Sequence, residues 1–336
     1  MHVVPHDLDL IADKLITDFE FYRNKNIFLT GGTGFFGKWI LETLKFINVK
    51  YHVKCKVTVL SREPQTFLKL NPHLSCDFIE FLQGEMNGFS LPNASFDYII
   101  HAADDISNLD NFATEESKQE SLNYLLPLIL LANRNENSRF LYISSGAVYD
   151  IPVNTDNLVT LSEDYPLAVN SNNSYSIGKL KSEVFLRENL KCELVILRCF
   201  SFAGPYMGLK NRYAFSDFIN AVINNIDIQI KGSGESKRTY MYPSDLVYWL
   251  FFFLFRGGDR EIYNVGGSEI VSIHELAKRI VKLSNCDIKI NVLNNDGIIE
   301  SSYVPNIKKS LCLGLKEENT LNEIIFKTLR FYRYRK

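Results

Sequence analysis

Asn26-Ile27-Phe28-Leu29-Thr30-Gly31-Gly32-Thr33-Gly34-Phe35-Phe36-Gly37 is the stretch that decides the fold. Residues 27–30 read as a short buried strand, the glycines as a turn, and residues 38–48 as the helix after it. Such a turn brings backbone N–H groups and a helix N-terminus up to a pyrophosphate with no side chain in the way. The glycines have separable tasks: Gly31 makes a tight turn, Gly34 allows close approach to phosphate, and Gly37 allows close helix-on-strand packing. Thr33, Phe35 and Phe36 belong to the same candidate cofactor-binding turn. A glycine-rich run by itself also describes an ordinary loop, so its reading depends on what lies downstream.

Downstream the strand–helix rhythm continues. Residues 56–60, 77–82, Tyr98–His101, 140–143 and 194–198 read as strands. Helices are expected over 115–133, with a kink at Pro127, and over Ser174–Asn189. This alternation predicts an α/β fold: a Rossmann-like doubly wound parallel sheet with right-handed crossovers. Past Gly204-Pro205 the rhythm loosens. Short strands are expected at 227–231, Ile262–Val265 and 288–293, and helices at 215–224, 245–255, 273–283 and 321–334. The last opens on a capping box, Thr320 with Glu323. The expected division is an N-terminal helical extension over 1–24, a dinucleotide-binding domain over 25–200, and a smaller, mainly substrate-binding lobe over 201–336. The chain is expected to cross between the two lobes.

Composition excludes several classes. Over 336 residues, 37 basic and 39 acidic side chains leave a net charge of −2, which offers no electrostatic footprint for nucleic acid. The cysteines (55, 76, 192, 199, 286 and 312) show neither Cys-x-x-Cys nor Cys/His metal spacing and read as reduced thiols, which points to the cytoplasm and to no metal. Residues 1–24 carry acids throughout and lack the apolar run of a signal peptide. Val247-Tyr248-Trp249-Leu250-Phe251-Phe252-Phe253-Leu254-Phe255 is apolar but only about half a membrane span, so a core helix is expected and no integral membrane segment.

Two further stretches carry chemistry. Ile143-Ser144-Ser145-Gly146-Ala147-Val148-Tyr149 is a strand ending in hydroxyls. Tyr175-Ser176-Ile177-Gly178-Lys179 sets a phenol and an ammonium one turn apart on a helix face. A tyrosine with the ordinary pKa of about 10 is a poor base at neutral pH, and a neighbouring ammonium favours its phenolate. Phosphate turn, serine and Tyr-x-x-x-Lys, in this order, resemble the extended short-chain dehydrogenase/reductase family, the NAD(P)-dependent nucleotide-sugar epimerases and dehydratases. The resemblance runs over about 27–282.

The resemblance implies a site. Tyr175 would exchange a proton with a sugar hydroxyl, Lys179 would support it and hold the nicotinamide ribose, and Ser145 would bind the same sugar oxygen, with Ser144 a supporting hydroxyl on the cofactor side. Gly84-Glu85 resembles the family's Gly-Asp element beside the adenine, and the strand end His101-Ala102-Ala103 would let the cofactor pass close to the backbone at Ala102 and Ala103. His101 itself is read as structural. After strand two, Ser61-Arg62-Glu63 replaces the usual ribose-binding acid. Arg62 points towards NADP and Glu63 towards NAD, so both dinucleotides stay open.

On the substrate side, Arg198-Cys199-Phe200-Ser201-Phe202-Ala203-Gly204-Pro205 resembles the family's Arg-x-x-Asn-x-x-Gly-Pro, with Ser201 where Asn is usual. Arg238 is the candidate for the nucleotide diphosphate, since a guanidinium grips phosphate bidentately. Tyr263-Asn264-Val265-Gly266 resembles the turn lining the nucleotide pocket, and Asp245 is read as a helix cap or buried partner. Family 4,6-dehydratases show Thr-Asp-Glu where this chain has Ser145-Gly146-Ala147. The expected activity is therefore a 4-epimerase acting on a nucleotide-diphosphate sugar through a transient 4-keto sugar. The alternatives are a 4-ketoreductase, a dehydratase with displaced acids such as Glu163 or Asp164, and a non-catalytic nucleotide-binding scaffold. The family also implies a homodimer through the helices after strand four and at Ser174–Asn189.

Overall fold

The computed structural model describes residues 5–103, 122–153, 158–209, 213–293 and 300–334. Strand β1 (Asn26–Thr30) is buried along almost its whole length, the pattern of a central parallel strand. Around it lie β2 (Lys56–Ser61), β3 (Ile79–Gln83), β4 (Tyr98–His101), β5 (Arg139–Ser145), β6 (Glu193–Cys199) and β9 (Ile262–Val265). These form one seven-stranded sheet in the order β3-β2-β1-β4-β5-β6-β9. All its pairings are parallel, with Leu29 opposite both Val59 and Ile100.

Successive strand residues point to opposite faces, and here the alternation sorts them into two cores. Ile27, Leu29, Val57, Val59, Ile100, Leu141, Val195 and Leu197 pack on one side. Phe28, Ile99, Phe140, Tyr142, Leu194 and Ile196 pack on the other. The first face is covered by α2 (Phe35–Tyr51) and α7 (Pro243–Arg256), the second by α4 (Leu126–Ala132) and α5 (Ser174–Asn189). The strand order reverses between β1 and β4, and in sheets of this kind ligands bind outside the strand ends at that point. The glycine turn lies there.

Several expectations shift. The part of the anticipated 115–133 helix up to residue 121 lies outside the described residues. Its remainder is a 3₁₀ turn (Asn123–Leu125) and then α4, with Pro127 in the first turn of that helix. Pro127 therefore starts a helix rather than bending one, because a first-turn residue has no intrahelical partner for an N–H to lose. The strand Ile262–Val265, expected in the smaller lobe, is the last strand of the main sheet beside β6. The apolar helix α7 lies under the same sheet, with Trp249, Leu250, Phe251 and Phe253 fully buried. No helix among the described residues is long and apolar enough to cross a membrane.

The remaining elements form the smaller layer. After α3 (Pro64–Leu70) and beyond β6, α6 (Ala214–Asn224), α8 (Ile273–Ser284) and α10 (Leu321–Arg333) pack together, α9 (Lys308–Cys312) lies beside β9, and β7 (Ile228–Ile230) pairs with β11 (Ile290–Val292). Strand β8 (Lys237–Arg238) is flanked by β10 (Val271–Ser272) and β12 (Ser302–Tyr303). The capping box at Thr320 and Glu323 forms as read.

Helix α1 (Pro5–Leu15) buries Leu8, Ile11, Ala12 and Leu15 against α2 and α7. Its Asp7 is fully buried, where it accepts from the Tyr242 hydroxyl (2.8 Å) and from Lys327 Nζ (2.7 Å) on α10. The N-terminal segment thus ties the start of α7 to the C-terminal helix. Asp7→Ala leaves a phenol and an ammonium without their acceptor and is expected to cost about 3 kcal/mol of stability, read by urea unfolding. A loss under about 0.5 kcal/mol would mean that the tie contributes nothing.

Candidate active site

Gly31 has φ +71°, the left-handed region that suits glycine. Its carbonyl accepts from Gly34 N–H (3.0 Å), which closes the turn. A Cβ at Gly31 would lie 2.4 Å from the Ala102 carbonyl, and one at Gly37 would lie 2.2 Å from the Gly31 oxygen. Gly34 differs: a Cβ there meets only the Gly31 oxygen, at 3.2 Å, and the residue is exposed. Gly32, which has no task in the motif as read, leaves room for Val59 beneath the turn. Gly34 is the N-cap of α2 and supplies no side-chain acceptor. The first N–H groups of α2 therefore face an open approach, which fits a pyrophosphate. Thr33 is half-buried in the turn. Phe36 packs edge-on against Phe202 (4.9 Å) and Phe35 leans on Phe36, so their side chains belong to the core and their amides to the first turn.

The strand ends border this turn. Ala102 N–H donates to the Thr30 carbonyl (3.2 Å) and Ala103 N–H to Thr30 Oγ1 (3.3 Å). His101 is buried and shares a 2.7 Å hydrogen bond with Thr30 Oγ1. Burial, and then the Lys179 ammonium, press its pKa down to about 3, so it is a neutral structural ring at pH 7. Ser61 is buried at the end of β2, where its carbonyl accepts from Gly84 N–H (3.0 Å). Arg62, Glu63 and Glu85 are exposed, and Arg62 forms no ion pair among the described residues.

The helix that carries two of the catalytic candidates packs on β5, whose end carries the third. Asn173 caps α5, its Oδ1 accepting from Tyr175 N–H (3.0 Å) and Ser176 N–H (3.3 Å). This places half-buried Tyr175 in the first turn, with Lys179 one turn on. Lys179 is buried, donates from Nζ to the Ile143 carbonyl (3.0 Å), and lies 5.3 Å from the centre of the Tyr142 ring. Ser145 ends β5, and its Oγ accepts from Ala147 N–H (3.1 Å). Ser144 Oγ donates to Glu183. Its hydroxyl is thus committed inside the protein.

The acids considered as displaced dehydratase groups have partners of their own. The Glu163 carboxylate accepts from Asn264 N–H (2.8 Å), and exposed Asp164 accepts from Ser162. At Gly146 a Cβ would sit 2.7 Å from the Phe200 ring, so a carboxylate-bearing side chain has no room there.

Strand β12 supplies a residue that no sequence motif marked. Tyr303 Oη lies 3.4 Å from Ser145 Oγ and donates to the Cys199 carbonyl (3.4 Å). Its ring packs on Phe200 (4.7 Å), with the Arg238 guanidinium 5.9 Å from its centre. Arg238 donates to the Lys237 and Ser301 carbonyls (2.7 and 2.8 Å), and burial holds its pKa below the arginine norm. Ser201 is half-buried, its carbonyl accepting from Met241 N–H (3.0 Å). Asp245 is a buried partner rather than a cap: it accepts from Glu318 and Asn319 N–H (3.2 and 3.3 Å). The only local signal for Tyr303 was its aromatic side chain, and the pairing that delivers it is long-range.

A sequence model of the NAD dependent epimerase/dehydratase family matches residues 27–266. A dTDP-D-glucose 4,6-dehydratase from Dictyostelium discoideum is 28% identical over 274 residues, covering 77% of this chain. This chain spans only 62% of that relative's length. Among solved structures, a UDP-N-acetylglucosamine 4-epimerase from Methanobrevibacter ruminantium, in complex with UDP-N-acetylmuramic acid, superposes with a TM-score of 0.78. It is 20% identical, over 93% of this chain and 99% of that one. A dTDP-glucose 4,6-dehydratase from Bacillus anthracis in complex with NAD gives 0.71 at 18% identity, over 92% and 97%. At these identities the structures speak for the fold, while the family match spans most of the chain and both halves of the site. The chain belongs to the NAD dependent epimerase/dehydratase family.

Proposed function

We propose that this protein is a nucleotide-sugar 4-epimerase working through a transient 4-keto sugar. The observation that carries the reading is the packing of the capped helix of Tyr175 and Lys179 on β5, where Lys179 donates to the Ile143 carbonyl two residues before Ser145, next to a Gly146 at which Phe200 leaves no room for an acid. A dinucleotide, when bound, supplies reversible two-electron oxidation at the sugar carbon. The α2 amides hold its pyrophosphate. Tyr175 takes the proton from the sugar hydroxyl and later returns it, and the Lys179 ammonium favours the phenolate form that can do so. Ala147 N–H occupies a lone pair of Ser145 Oγ, and the Ser145 hydroxyl turns its proton from Tyr303 Oη to the sugar oxygen as the carbonyl develops. Arg238 and Ser201 meet the nucleotide-diphosphate end.

The test offers UDP- and dTDP-hexoses to the purified protein and follows the products by NMR. Both C4 epimers are expected, with no net consumption of added reduced dinucleotide and no loss of water. A 4-keto-6-deoxy product would make the protein a dehydratase. Stoichiometric oxidation of added NADPH would make it a reductase. No turnover of any nucleotide sugar would leave the scaffold reading.

For the dinucleotide we propose that Ser61 and Arg62 border the adenosine ribose, with NAD and NADP both open, since Arg62 and Glu63 are both exposed at the end of β2 and form no ion pair among the described residues; if the cofactor is NADP, Arg62 reads its 2′-phosphate. Arg62→Ala is expected to weaken NADP binding about tenfold and NAD binding less than twofold, measured by calorimetry. Equal losses for both would mean that Arg62 does not read the 2′-phosphate.

We also propose a homodimer through α4 and α5, because Leu126 and Leu130 lie one turn apart and exposed on α4, as does Val184 on α5. Leu130→Asp with Val184→Asp is expected to halve the mass seen by light scattering at micromolar concentration. A wild-type protein that already has the mass of one chain would end this proposal.

A further inference from the structure

Beneath the candidate site lies an ion pair that the mechanism does not use. Glu183 and Arg198 are each 3% exposed. Glu183 Oε2 accepts from Arg198 Nη2 (2.7 Å), and Oε1 accepts from Arg198 Nε (3.1 Å) and from Ser144 Oγ. Arg198 Nη1 donates to the Glu163 carbonyl (3.2 Å), and its guanidinium lies 4.8 Å from the centre of the Tyr149 ring. Both charges are therefore held from several sides.

The spacing matters. Tyr175, Lys179 and Glu183 recur every four residues along α5 and share one face. Lys179 grips β5 at the Ile143 carbonyl, and Glu183 grips it at the next residue, through the Ser144 hydroxyl. Two grips one turn apart fix both the height of a helix on a strand and its rotation, where one grip leaves a pivot. The next strand residue is Ser145.

We propose that Glu183 and Arg198 are positioning residues, which with Ser144 lock the rotation of α5 on β5 and so set where Tyr175 stands relative to Ser145. The proposal rests on the epimerase reading, because its benefit falls on those two residues. Stability alone does not account for the pair. Buried ion pairs replaced whole by apolar side chains of similar size often leave stability unchanged or improved, whereas removal of one partner is costly. A misplacement of about 1 Å at reacting atoms costs about a hundredfold in rate.

The test separates stability from position. The double variant Glu183→Met/Arg198→Met is expected to unfold within a few degrees of wild type. Its kcat is expected to fall about 30-fold, with KM and dinucleotide affinity within threefold. Ser144→Ala, which keeps the ion pair, is expected to lower kcat about fivefold at unchanged stability. Amide hydrogen exchange over residues 174–180 is expected to quicken in both. Wild-type kcat in a double variant of wild-type stability would overturn the proposal, as would wild-type kcat and exchange in Ser144→Ala. If the double variant does not fold, Ser144→Ala and Arg198→Lys carry the decision, the latter keeping the charge but losing the two-point grip. Tyr175→Phe, run alongside, keeps the two ideas apart: full activity there ends the epimerase mechanism, while exchange over 174–180 still reports whether the pair holds the helix.

Discussion

Tyr175→Phe is expected to lower kcat about a thousandfold while dinucleotide affinity and thermal stability stay close to wild type. Removing the hydroxyl deletes the proton acceptor, and general acid–base catalysis contributes roughly a hundred- to ten-thousandfold in rate. The ring remains, so the packing of α5 on β5 is kept. The cap from Asn173 is also kept, because Oδ1 accepts from backbone N–H groups and not from the phenol. The measurement is the initial rate of C4 inversion on the substrate found in the screen, with cofactor content read by mass spectrometry. Wild-type kcat in a folded, cofactor-loaded Tyr175→Phe protein would sink the mechanism.

Gly31→Ala is expected to cost about 3 kcal/mol of stability and to abolish dinucleotide binding. A left-handed backbone at a non-glycine residue costs roughly 1–2 kcal/mol, and overpacking against backbone atoms adds about as much again. Here the backbone angle is +71° and the new Cβ would stand 2.4 Å from the Ala102 carbonyl. Gly34→Ala is the informative contrast. Its φ is −79°, which any residue adopts, and its Cβ meets only the Gly31 oxygen at 3.2 Å. Stability is expected to hold within about 0.5 kcal/mol. Affinity for the dinucleotide is expected to fall at least tenfold, because the methyl group occupies the phosphate approach. Paired calorimetry and urea unfolding separate the two glycines. Equal stability losses would show that the turn has no open side.

The site was legible in halves. The glycine turn announced itself because each of its demands, a left-handed angle and two close backbone approaches, admits only one residue type. The Tyr175–Lys179 pair was legible because helical spacing alone puts four-apart residues on one face. Tyr303 was not legible: a two-residue strand has no periodicity, and β12 reaches Ser145 only by pairing with β8. Nor was the Glu183–Arg198 pair, since charged residues in a helix and a strand ordinarily face water and only the packing of α5 on β6 buries them. Pro127 misled because proline breaks helices in the middle and begins them at the end, and position along the helix was the unknown.

Local chemistry by itself determined the strands of the main sheet, the glycine turn and the face of α5 that carries Tyr175 and Lys179. Each comes from period, backbone angle or steric exclusion within about a dozen residues, apart from the close approach of Ala102 to Gly31. Tertiary structure alone decided that Ile262–Val265 completes the sheet, that Phe200 seals the space beside Gly146, and that Tyr303 and Arg238 meet across from Ser145. These are contacts between segments tens to more than a hundred residues apart. What selects them is the burial of both faces of one sheet, to which no single stretch of the chain has access.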